Sequence, residues 1–163
     1  MLRKMKKKRL IQGTVIKIPI GDGFHCYGRL LTKPTWEVFD YRTKENATDI
    51  ERITSQTVLF TICIHTASIN QSDWEVVGRS RGEDLDARIP LQFSQNRSDP
   101  TDCKVLDRFD NFFPATIEDC RGLERIVNWD PHHVVDRIRD HYAGVPNVWV
   151  ELYRVREIGE EEI

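Results

Sequence analysis

Gly13-Thr14-Val15-Ile16-Lys17-Ile18-Pro19-Ile20-Gly21-Asp22-Gly23-Phe24-His25-Cys26-Tyr27-Gly28-Arg29-Leu30-Leu31 is the stretch that decides the fold. Ile16, Ile18 and Ile20 alternate onto one face of a strand over Thr14–Ile20. Phe24, Cys26, Gly28 and Leu30 do the same over Phe24–Leu31. Two alternating runs around Gly-Asp-Gly predict an antiparallel hairpin, because glycine accepts the positive φ of a tight turn. Pro19 has no N–H to give to a ladder, so it belongs at an edge position or a bulge.

Moving outward, Pro34 ends the second strand, and Trp36–Tyr41 reads as a third, with Trp36 and Val38 opposite Phe39 and Tyr41. Residues 44–56 are polar and read as a loop or a short helix. Val58–His65 is β-branched and apolar on both faces, which predicts a central strand. Trp74–Val77 is a short strand ending at Gly78, and 79–104 reads as long loops with short extended pieces. Lys104–Phe113 supplies one more hairpin, with its turn near Arg108–Asp110, and Thr116–Gly122 a short helix capped by Thr116. Asp130-Pro131 is a helix start and Gly144 its stop. Val134, Val135, Ile138 and Tyr142 share one face of that helix. Asn147–Arg156 fits helix or strand. The expected class is α+β and mainly β: an antiparallel N-terminal meander or small barrel with one clear C-terminal helix.

The 163 residues carry 24 Lys+Arg and 26 Asp+Glu, but unevenly. Residues 1–9 hold six bases and no acid. Residues 73–163 hold twelve bases against twenty acids. The length suits one domain with a genuine core, and 39% hydrophobic residues exclude a wholly disordered chain. No apolar run is long enough to span a bilayer, so no membrane partner is expected. Leu10-Ile11 gives way at once to Gln12-Gly13, so the basic start lacks the apolar core of a secretory signal, and the expected compartment is the cytoplasm. Cys26, Cys63, Cys103 and Cys120 contain no Cys-x-x-Cys pair and read as reduced, mostly buried thiols.

Glu83, Asp84, Asp86, Asp99, Asp102, Asp107 and Asp110 are the candidate partner-binding residues, an acidic landing surface for a basic protein. His132 and His133 point about 100° apart on a helix, and a His132/Asp136 pair supplies only two ligands where zinc needs three or four. His133 falls nearly opposite the apolar face. His25 shares a face with Tyr27 and Arg29, a polar rim or contact surface, and His65 ends a strand. Neither a Gly-x-Ser-x-Gly elbow nor a phosphate-cradling loop occurs. The pattern therefore points to no catalytic set, no metal site and no cofactor. A nucleic-acid-binding β domain using the basic tail is an alternative, disfavoured by the acidic body and the lack of an RNA-binding aromatic signature.

The opening residues, with Trp74-Glu75-Val76-Val77-Gly78, Asp119-Cys120-Arg121-Gly122-Leu123-Glu124, Trp129-Asp130-Pro131-His132-His133-Val134 and Arg137-Ile138-Arg139-Asp140-His141-Tyr142, resemble a family of bacterial immunity proteins. It is the twenty-sixth such family of polymorphic toxin systems, and the resemblance runs from about residue 12 to 156. It implies a mainly β, cytoplasmic protein that binds and neutralises a cognate toxin. Relatives are also labelled small phosphotriesterases, which makes a phosphotriesterase-like hydrolase the alternative. That reading requires His132 and Asp136 to converge with His25 or His65 on a metal. The implied organisation is a flexible basic tail over 1–9, one immunity-like domain over 10–157, and an acidic tail over 158–163.

Overall fold

The computed structural model describes residues 6–161. The predicted hairpin is its foundation. β1 (Thr14–Gly21) and β2 (Phe24–Thr32) pair with Ile18 opposite Cys26 and Ile16 opposite Gly28. Gly21, Asp22 and Gly23 all take positive φ in the turn. β3 (Thr35–Phe39) continues the meander, and β4 (Val58–Cys63) and β5 (Glu75–Arg79) complete an open five-stranded sheet of order β4-β3-β2-β1-β5. The sheet does not close into a barrel. β5 partners β1 only as far as Lys17, so the missing N–H of Pro19 falls beyond that ladder, beside a register shift between Pro19 and Gly21.

β4 is an edge strand, not the central one its apolar faces predict. Phe60 and Ile62 serve the main core while Val58 packs on a second cluster. Its open side is partly covered, since Trp129 N donates to the Cys63 carbonyl at 2.8 Å and Cys63 bridges to Asn128. The strand stops at Cys63 because His65 turns outward and caps a helix, α2 (Thr66–Gln71), accepting from Ala67 N.

The long helix α4 (Pro131–Ala143) starts and ends as its sequence predicts. Asp130 accepts from His132 N at 2.8 Å, and Gly144 takes the left-handed conformation. Val134 and Ile138 are fully buried against Ile16, Ile18, Cys26, Trp36 and Val38, with Val135 and Tyr142 partly so. Asn147–Arg156 resolves as a helix, α5 (Val148–Tyr153), because the Asn147 side chain accepts from both Trp149 N and Val150 N. This second helix changes one expectation: His133 does not face open solvent but stacks on Trp149 at 3.5 Å between ring centroids.

The opposite face of the first sheet is also covered. His25, Tyr27 and Arg29 form no exposed rim. α1 (Ile50–Thr54) brings Ile53 onto Val15, Tyr27 and Phe39, and Tyr27 stacks on Tyr41. Arg29, wholly buried, lies opposite Glu37 across the β2–β3 ladder. Its Nε and Nη2 donate to Glu37 Oε1 at 2.8 and 2.5 Å, and Nη1 donates to Ser80 Oγ at 2.9 Å and Glu83 Oε1 at 3.4 Å. Arg88 donates to both Glu37 oxygens, which closes an alternating network of two bases and two acids.

A second, smaller sheet contains β6 (Gln92–Gln95), β7 (Cys103–Leu106), β8 (Phe112–Ala115) and β9 (Glu124–Arg125), in the order β8-β7-β6-β9, with β9 parallel to β6. α3 (Ile117–Cys120) follows β8 with a reciprocal Thr116/Asp119 cap. Phe93, Cys103, Cys120 and Val155 form the core of this unit.

Residues 1–5 of the basic tail and 162–163 of the acidic tail lie outside the described residues. Lys8 is docked: its ammonium donates to the carbonyls of Ile69 and Ser72 at the end of α2, at 2.5 and 2.7 Å. Gly13 has φ near +86°, and an added Cβ would run into the Ser80 carbonyl oxygen. Gly13→Ala is therefore expected to destabilise the fold by about 2–3 kcal/mol. Urea unfolding checks this, and an unchanged midpoint refutes it.

Candidate functional site

The β7–β8 hairpin, Cys103–Ala115, is the part of the surface that departs most from ordinary soluble-protein chemistry. Its turn is built by Asp107, whose carboxylate accepts from Phe109 N at 2.8 Å and Asn111 N at 3.0 Å. Those bonds, led by the Asn111 amide, hold the Asp107 carboxyl below the usual range. Asp110 takes the left-handed conformation, which Asp tolerates better than most residues.

This rigid turn displays Phe109, Phe112 and Phe113, which are 68%, 55% and 52% exposed. Three aromatic rings are open to water within five residues, exposed apolar surface of the kind that marks interaction sites. Phe112 and Phe113, adjacent in β8, point to opposite faces of the sheet and so flank its edge. Phe113 also ends a cross-sheet row, Phe93–Val105–Phe113, so the second core runs out to the surface through it. Arg108 lies over the Phe109 ring at 4.7 Å.

β8 is a sheet edge, but a blunted one. The Asp107 N to Asn111 O bond sets the pairing parity, so bonded pairs fall at 105/113 and 103/115. Pro114 then occupies an outward position where a strand-adding partner would need an N–H. The patch is thus suited to contact through its side chains rather than through its backbone.

The seven predicted acidic residues are not brought together. Glu83 is engaged by Arg29 and Arg88. Asp84 accepts from Ala87 N, and Asp86 from Gln12 Nε2 and Thr32 Oγ1. Asp99 and Asp102 shape the β6–β7 connection through Thr101 and Asn96. Asp107 and Asp110 lie at the opposite end of β7 from that connection, and they alone border the aromatic patch. In the sequence these aromatic residues read as strand formers of the hairpin. The signal was present as Phe-x-x-Phe-Phe-Pro in a hairpin too short to have two buried faces.

His25 Nε2 lies 2.5 Å from the Glu45 carbonyl oxygen, His65 caps α2, His133 is stacked on Trp149, and His132 is exposed. Among the described residues, no three His, Cys, Asp or Glu side chains gather as a metal-binding group. All four cysteines are buried and unpaired. Burial pushes Cys26 up to about 12 and Cys120 up to about 11, so little thiolate forms at pH 8. A disulfide reagent at pH 8 is expected to label the folded protein far more slowly than a free thiol. The same reagent should label all four cysteines in guanidinium. Rapid labelling of the folded chain would contradict this.

Against known proteins, the family model described as Immunity protein 26 matches residues 11–104, more than half of the chain. The chain belongs to the Immunity protein 26 family. No curated protein and no solved structure matches it. The span shared with the immunity family covers the first sheet, β6 and the start of β7. The aromatic turn, α4 and the C-terminal segments that resemble the family lie beyond it. No helix among the described residues is long and apolar enough to cross a membrane.

Proposed function

We propose that this chain is a cytoplasmic immunity protein that binds a cognate bacterial toxin and neutralises it by occluding its functional surface. Family membership supports the reading, and the exposed aromatic hairpin is the observation that carries it. Phe109 at the turn and Phe112 and Phe113 on the two faces of the β8 edge serve as anchors for a toxin that embraces this edge, since large aromatic side chains at the centre of an interface supply most of its energy. Asp107 and Asp110 border the anchors and select a basic rim on the partner. A symmetric pairing of two copies through this patch would oppose those carboxylates. Asp99 and Asp102 add to the negative field of the same sheet and speed encounter.

Co-expression with the product of a neighbouring toxin gene tests the function. The two proteins are expected to co-purify, and cells making both are expected to grow where cells making the toxin alone do not. A purified pair with neither binding nor rescue would end this reading.

A further inference from the structure

Two clefts of about 430 and 390 Å³ lie where β9, α5 and the C-terminal segment meet the second sheet, and they share Arg125, Tyr153 and Arg154. The larger is lined by arginines in a region whose overall sequence is acidic. Arg125 rests on the Phe93 ring at 4.8 Å. Its Nε donates to the Tyr153 carbonyl at 3.0 Å, and its Nη2 to the Arg154 carbonyl at 3.1 Å and Gln95 Oε1 at 3.3 Å. Arg156 Nη2 donates to the carbonyls of Asn96 and Arg97. These bonds pin the C-terminal segment to β6. Their acceptors are neutral, however, so they satisfy N–H groups without cancelling charge.

Among the described residues, neither Arg125 nor Arg156 forms an ion pair within 4 Å. Burial first, and then the Arg156 charge, depress the Arg125 guanidinium below the usual arginine range. Two mutually repelling guanidiniums at the wall of a cleft are a stored preference for an anion. Arg154, also in the lining, carries carboxylates already: its Nη1 and Nη2 grip both oxygens of Glu160 at 3.0 and 2.9 Å, and its Nε lies 3.5 Å from Glu151 Oε2. Glu160 arrives from the exposed C-terminal segment and brings an oxyanion to the cleft from within the chain. Apolar surface from Val127, Leu152 and Tyr153 completes the lining.

We propose that this cleft is a binding site for a phosphate monoester, held by Arg125 and Arg156, with Glu160 as an internal competitor on Arg154. A dianion matches two guanidiniums that lack a close ion pair better than a carboxylate does, and the volume leaves room for an organic group against the apolar lining. This site is independent of the aromatic hairpin, so it stands or falls separately from toxin binding.

The test titrates the full chain with inorganic phosphate, phenyl phosphate and benzoate at constant ionic strength. Arginine side-chain and backbone amide resonances at 94–97 and 153–156 provide the readout. Both phosphates are expected to bind more tightly than benzoate. A preference for phenyl phosphate indicates an organic monoester, and equal affinities indicate free phosphate. Arg156→Gln should weaken binding about 10-fold. Glu160→Gln, which removes the competing charge without touching the stapling bonds, should tighten it about 3-fold. Should Arg156→Gln fail to fold, Glu160→Gln decides alone. The proposal is overturned if benzoate binds as well as phosphate, if the shifts lie elsewhere, or if Glu160→Gln leaves affinity unchanged.

Discussion

Arg29→Ala is expected to lower the unfolding free energy by about 3–5 kcal/mol, the usual cost of removing one partner from a buried ion pair. The guanidinium has no exposed surface, and the Glu37 carboxylate it serves has almost none. Without Arg29, Glu37 keeps only Arg88, a half-exposed partner reaching in from the 80–90 loop. Ser80 Oγ loses its donor as well. For a domain whose total stability is on the order of 5–15 kcal/mol, this is a large share. Replacing both partners, as Arg29→Met with Glu37→Leu, should recover most of the loss, because the buried apolar pair then leaves no orphaned charge. Urea midpoints of the three chains check this. A single-variant loss under about 1 kcal/mol would show that water reaches the pair.

The second large effect concerns association. Phe112→Ala with Phe113→Ala is expected to weaken toxin binding on the order of 100-fold or more, mostly through faster dissociation. Both rings are more than half exposed in the free protein, so the unfolding midpoint should move little. That separation distinguishes an anchoring role from a structural one. Asp110→Asn, which keeps a residue tolerant of the left-handed turn, should instead slow association, with the difference fading as salt rises. If the double variant binds as the parent does while the parent binds firmly, the contact lies on another face.

Much of this architecture was legible in the sequence. Alternation placed Ile16, Ile18, Cys26, Leu30, Trp36 and Val38 on one face, and Asp130-Pro131 with Gly144 bounded α4. These features are local, so a single stretch specifies each. What escaped depended on distant partners. β4 looked central because its apolar faces record burial, and burial by a helix on one side and by α1 and its loop on the other leaves the same trace as burial inside a sheet. Arg29 reads from the sequence as part of a polar rim because it is charged, and only the β2–β3 register sets it against Glu37. The acidic excess of residues 73–163 is a sum over segments that the fold disperses. Glu83 is consumed internally, while Arg125, Arg154 and Arg156 converge on a cleft from segments about thirty residues apart.

The position of α4 in the chain has a consequence for biosynthesis. The first sheet is complete at Arg79, but the helix that shields Ile16, Ile18, Trp36 and Val38 is not finished until Ala143. At ordinary elongation rates of about 5–20 residues per second, the nascent chain carries a naked apolar sheet for several seconds. The span matched by the family model closes at residue 104, before α4 exists. The matched span thus lacks the helix that buries its main core, and a ribosome stalled between β5 and α4 is expected to expose that face to chaperones.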